Sequence, residues 1–205
     1  MSKRGTDLRE HMLFVAKDVF LESGFDRASM DVIAARAETT KRTLYAHFEN
    51  KEKLFLAVIE LVRGLVLGRL RTPAEYSKNS EEALVHFCGR FLETILWKRS
   101  LRMFRLSIAE AERFPEGAAL FHEQIFGTAQ ERLEAYLREH LKWPRKAAAQ
   151  AAAELLGRIM HPRFTRALFG LEAINDEWLS DERLSAELDL KPIRAAVSAM
   201  LSARA

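Results

Sequence analysis

Residues 40–48, TKRTLYAHF, gather two cations, two hydroxyls, a phenol and an imidazole in nine positions without a single carboxylate. A guanidinium or ammonium can donate to guanine O6 and N7, while a hydroxyl or methyl can meet a base edge or a thymine methyl. At about 100° per residue, a helix over 41–48 sets Leu44 and Phe48 side by side as an apolar face. Arg42, Thr43 and Ala46 then lie opposite, with Lys41 at the N-terminal end. Tyr45 and His47 fall on the flanks, where they suit phosphate oxygens on the walls of a major groove.

Such a face needs elements to hold it. Ser29 is an N-cap type, and Ile33, Ala34 and Ala37 follow it at helical spacing. Glu38 and Thr39 break the pattern, and Thr40 caps the next helix. Two short helices joined by a tight turn have the grammar of a helix-turn-helix reader of DNA. Asn50 opens a further helix with Lys51 and Lys53 in its first turn, where cations oppose the helix dipole. The expectation is that Lys51 and that helix N-terminus clamp a phosphate.

A preceding helix over about 6–23 carries Met12, Val15, Ala16 and Val19 on one face, with Gly24 as its stop. The helix from Asn50 runs to about residue 70 through Leu54, Val58, Leu61 and Leu65, as a connection that ends in the polar stretch 72–79. Beyond it, Leu84, Phe87, Cys88, Phe91, Leu92 and Ile95 mark an amphipathic helix. Helical signals continue over 101–113 and, opened by Pro115, to about 141. Alternation of the strand type is absent, so the chain reads as all-α. A three-helix DNA-reading domain over 1–53 precedes a larger helical domain over 54–205.

Two late segments look like a pairing surface. Residues 146–160 are rich in alanine and carry Ala148, Ala152, Leu155, Leu156, Ile159 and Met160. The segment after Pro192 sets Ile193, Ala196, Val197, Met200 and Leu201 on one stripe. Two such helices per chain can build a four-helix bundle across a twofold axis, or they can complete an internal core. Phe91, Trp97, Met103, Phe104, His122, Phe126 and Met160 are candidates to line a mostly apolar effector pocket, with ordinary core roles as the alternative.

The net charge of +3 over 205 residues suits a polyanion partner without proving one, and 48% hydrophobic with 30% charged residues describes a globular protein. One cysteine rules out an internal disulfide and fits a reducing cytoplasm. No apolar run is long enough to span a membrane, and residues 1–10 are too polar for a signal peptide.

The run GFDRASMDVIAARAETTKRTLYAHFENKEKLF resembles the N-terminal signature of TetR-family transcriptional regulators, with a close match over about 8–56. Residues 105–118, RLSIAEAERFPEGA, resemble the ligand domain of an AefR-like subgroup. The resemblance implies that Thr40, Lys41, Arg42, Thr43, Tyr45 and His47 face DNA and that Ser29 and Lys51 touch phosphate. It also implies a homodimer joined by the last two long helices, a palindromic double-stranded operator, and a repressor released by a small-molecule effector. The chain departs from the family at Glu38 and Thr39, where Gly then Val is common, and at Arg42, often a small residue.

An enzyme is the first rival reading. No phosphate-binding glycine loop, nucleophile elbow or HExxH is present. None of histidines 11, 47, 86, 122, 140 and 161 follows a Glu at three residues' distance, which removes the di-iron pattern. His86, Cys88 and His122 are a remote metal set, and Glu110 and Glu112, at i and i+2, do not share a helix face. No metal or cofactor is expected. The second rival, a helical adaptor, leaves the cluster 41–51 without a purpose.

Overall fold

The computed structural model describes residues 3–172 and 184–203, and every regular element among them is helical. They divide into two compact units: residues 1–65 with 102–121, and 66–101 with 122–205. The later segment 102–121 thus joins the N-terminal unit, which differs from an expected division at residue 53.

In the first unit, α1 spans Lys3–Arg27 but is broken at Gly24, whose φ of 76° only glycine adopts without strain. Helices α2 (Met30–Arg36) and α3 (Lys41–Phe48) follow, and α4 (Lys51–Arg69) begins after Asn50, which accepts from the Lys53 amide at 2.8 Å. An aromatic core joins them. The rings of Phe20, Phe25 and Phe55 meet at 5.1 to 5.9 Å, and Phe114 packs on Phe25 at 4.9 Å and on Phe55 at 5.2 Å. Phe114 arrives from the segment between α6 (Lys98–Ala109) and α7 (Pro115–His122), so a ring 89 positions after Phe25 completes the aromatic core between α1 and α4.

In the second unit, α5 (Ser80–Leu96) is capped by Asn79 and buries Leu84, Phe87, Cys88, Phe91, Leu92 and Ile95. A 3-10 turn at Pro73–Glu75 precedes it. The helix expected from Pro115 to 141 is interrupted: α7 passes through a π-helical turn at Glu123–Gly127 before α8 (Thr128–Leu141). Helices α9 (Arg145–Met160), α10 (Arg163–Leu168) and α11 (Lys191–Ser202) complete the unit. The bidentate pair of Arg194 with Glu82 fastens α11 to α5.

The chain itself covers most of the late apolar stripes. Ala148, Ala152, Leu155, Leu156 and Ile159 of α9, and Ile193 and Val197 of α11, are buried within the single chain. Helix α9 lies against α5, α8 and α11, which cover most of that apolar area, while Leu155 also borders an outward groove. Met200 is half-buried and lines a groove of about 410 Å³ on the outward side of α9 and α11, beside Trp143, Ala147, Ala151, Ala199 and Ala203.

Candidate nucleic-acid interface

Two caps set the position of the reading helix. The Ser29 hydroxyl accepts from the Val32 amide at 3.2 Å, and the Thr40 hydroxyl accepts from the Thr43 amide at 3.1 Å. The Thr40 and Thr43 hydroxyls also share a hydrogen bond of 2.8 Å. Ile33, Ala34 and Ala37 of the first helix and turn, and Leu44 and Phe48 of the second, are buried. With that face pinned, Lys41, Arg42, Tyr45 and Ala46 are exposed, while Thr43 and His47 are half-buried.

The turns at both ends of α3 are tight. Glu38 has φ 51° and Glu49 has φ 56° with ψ −51°. At Glu49 the Asn50 amide bonds back to the Phe48 carbonyl, closing a three-residue turn of the strained kind. A residue with a Cβ at positive φ costs about 1 to 3 kcal/mol. Glu38 thus holds a backbone conformation that glycine favours.

Lys51 has a different role from the expected phosphate clamp. Its ammonium donates to the carbonyls of Phe25, Asp26 and Ala28 at 3.0, 3.2 and 3.1 Å and lies 4.4 Å from the Phe25 ring centroid. Three N–H groups meet three acceptors, so no donor remains for a phosphate. Lys51 staples the α1–α2 junction to the start of α4, which also explains how a cation is tolerated in a first helical turn.

Lys41 and Arg42 are unlike each other. The Lys41 ammonium pairs with the Asp31 carboxylate of α2 at 2.8 Å, and this hydrogen bond holds the Lys41 pKa above its ordinary value. Arg42 makes no ion pair among the described residues. Asp31 is the residue that the sequence did not reveal, because its acid lies ten positions before Lys41 and meets it only across the turn.

The candidate effector residues are divided between the two units. Met103 and Phe104 belong to the first unit, where Phe104 packs on Phe121 at 5.2 Å. In the second unit Phe126, on the π-helical turn, contacts Phe91 at 6.2 Å, His122 at 5.1 Å and Phe164 at 5.9 Å. Trp97 is faced by Arg69 and Arg99, and Met160 is half-buried. Gln124, on the same π turn, has a buried Oε1 with no hydrogen-bond partner among the described residues. Phe164 and Gln124 are additions to the expected set. Of the remote metal set, His86 Nδ1 meets the Glu82 carbonyl at 2.8 Å, and Cys88 is buried with its thiol pushed up to about 12 by desolvation.

The sequence model of bacterial regulatory proteins of the tetR family matches residues 13–58, and that of the AefR-like transcriptional repressor C-terminal domain matches residues 82–203. The chain belongs to the TetR family. The HTH-type transcriptional activator FasR of Mycolicibacterium smegmatis is 39% identical to this TetR-family chain over 83 residues, which are 38% of each protein. The likeness therefore spans well under half of that relative. A TetR-family regulator from Mesorhizobium loti has the same fold, with a TM-score of 0.78 at 23% identity over 98% of both chains. The Flavonoid-responsive Regulator FrrA has a TM-score of 0.75 at 27% identity over 97% of both. No helix among the described residues is long and apolar enough to cross a membrane.

Proposed function

We propose that this TetR-family chain is a cytoplasmic, sequence-specific DNA-binding transcriptional regulator without enzymatic activity. In this reading it acts as a homodimeric repressor on a palindromic operator. The observation that carries the reading is the exposed face of α3, where Arg42, Tyr45 and Ala46 stand outward from a buried Leu44 and Phe48 on a helix capped at Thr40. Arg42 suits a guanine edge, Ala46 a thymine methyl, and Tyr45, His47 and the Ser29 hydroxyl phosphate oxygens. The reading helices lie within residues 1–53, and the effector and dimer contacts fall within 54–205.

The partner subunit is a second copy docked on the outward groove of α9 and α11. Its alanines allow close helix approach, and Trp143 and Met200 supply apolar area. The effector is a small apolar or aromatic molecule held near Phe91, His122 and Phe126, in keeping with the flavonoid response in FrrA's name. Such a ligand releases DNA by favouring a spacing of the two reading helices that does not match the half-sites. FasR is named an activator, so the direction of control is part of the test.

The test is selection of duplexes from a random-sequence pool, followed by anisotropy titration against a scrambled duplex and a reporter assay on the selected site. An inverted-repeat site, preferred over the scramble and silenced in the reporter, supports the reading. Failure to enrich any sequence would exclude a specific regulator.

A further inference from the structure

The Asp31–Lys41 pair bears on how the reading face discriminates. It joins α2 to α3, and each helix is independently fixed by its own cap and buried face, so packing sets the backbone positions from which the two side chains reach each other at 2.8 Å. The two side chains are 67% and 56% exposed. A pair so exposed to water contributes little to folding. Asp31 also sits in the first turn of α2, where a carboxylate suits the helix dipole, but that role does not require a cation to be held against it.

We propose that Asp31 is a specificity-determining residue that acts through Lys41, holding its ammonium as an oriented donor and removing it from the sequence-independent attraction to phosphate. The proposal rests on the DNA-reading assignment of α3. An ammonium has three N–H donors; one is spent on Asp31 and two remain for a guanine edge. Its charge is locally balanced, so it releases fewer counterions when DNA approaches. Non-specific binding depends almost wholly on that release, whereas a base contact depends on geometry. Asp31 thus weakens binding to any duplex more than to the right one. Arg42, one residue on, has no such acid among the described residues, so the two neighbouring cations differ in how they are held.

The experiment measures affinity by anisotropy for wild type, Asp31→Asn and Asp31→Glu, on the duplex selected by the wild type and on a scrambled duplex. Salt is varied from about 50 mM to about 200 mM. In Asp31→Asn the slope of log K against log salt should steepen by about 0.9 on the scrambled duplex, an extra loss of about 3.5-fold across that range. The preference for the selected duplex over the scramble should fall, and Asp31→Glu should keep the wild-type slope. In a Lys41→Ala background, Asp31→Asn should change neither slope nor preference. An unchanged slope and preference in Asp31→Asn overturns the proposal, as does an effect that persists without Lys41. Absence of wild-type binding to any duplex at low salt overturns the DNA-reading assignment, and the role of Asp31 with it.

Discussion

The Arg113 guanidinium donates to the Asp26 carboxylate at 2.9 Å and stands 4.4 Å from the centroid of the Phe25 ring. Glu52 lies 3.7 Å from the same guanidinium. One side chain from the end of the α6–α7 connection therefore grips both the α1–α2 junction and the first turn of α4. Arg113→Ala should lower the unfolding free energy by about 1 kcal/mol, a cation–π contact plus an exposed pair discounted for solvent. Arg113→Lys should recover only part of it, since the planar fork is lost. Denaturant melts of the three proteins check this, and equal stabilities would mean that the contact contributes nothing.

Lys51→Ala separates a structural staple from a phosphate clamp. Three carbonyls lose a charged donor, so a loss of about 2 to 3 kcal/mol in stability is expected, with the salt dependence of DNA binding unchanged. A salt slope flattened by about 0.9 with unaltered stability would restore the clamp.

Arg42→Ala should relax preference at one base position by about 1 to 3 kcal/mol while leaving stability as it was, because the side chain is exposed and makes no ion pair among the described residues. Affinity for a panel of single-base variants of the selected duplex reads this out. A uniform loss over all variants would instead make Arg42 a phosphate contact.

Glu38→Gly should raise stability by about 1 kcal/mol, since φ 51° strains any residue with a Cβ. A higher melting temperature is the expected result, and a lower one would show that the unfolded-chain entropy of glycine outweighs the relieved strain.

Acid should loosen α11 from α5. The hydrogen-bonded pairing with Arg194 holds the Glu82 carboxyl below its ordinary value of 4.5. A lowered folded-state pKa gives stability that is fully present above the ordinary value and lost as pH falls through the lower one. Glu82→Gln should therefore flatten the acid limb of a stability-against-pH curve below about pH 4.5 and change little at pH 7 beyond the lost pair. An acid limb identical in the two proteins would assign the loss to other carboxylates.

What the sequence made legible was local. The starts of α2 and α3 follow from Ser29 and Thr40, and the buried face of α3 from the spacing of Leu44 and Phe48, all within a few residues of what they control. The partners of Lys51 were not legible, because they are carbonyls that carry no side-chain signal and are brought back by the fold. Asp31 escaped for a related reason, since helical periodicity does not cross a turn. The stripes on α9 and α11 show which face is buried but not whether the chain itself or a second copy covers it. Met103 and Phe104 read correctly as helical and apolar, yet periodicity holds no information about which unit claims them. The π-helical turn at Glu123–Gly127 widens one turn of an otherwise continuous pattern, and Gly127 alone does not distinguish it from an ordinary helical turn.

Glu38 and Glu49 bracket the reading helix, both exposed and both held by turns of positive φ. Their bearing is on tempo. A duplex whose bases do not engage Arg42 is held only by its phosphates, and a carboxylate at either end of α3 works against that hold. Under the DNA-reading assignment, wrong encounters are then brief, and the regulator hops onward along the chromosome quickly enough to sample many sites before it stops at one.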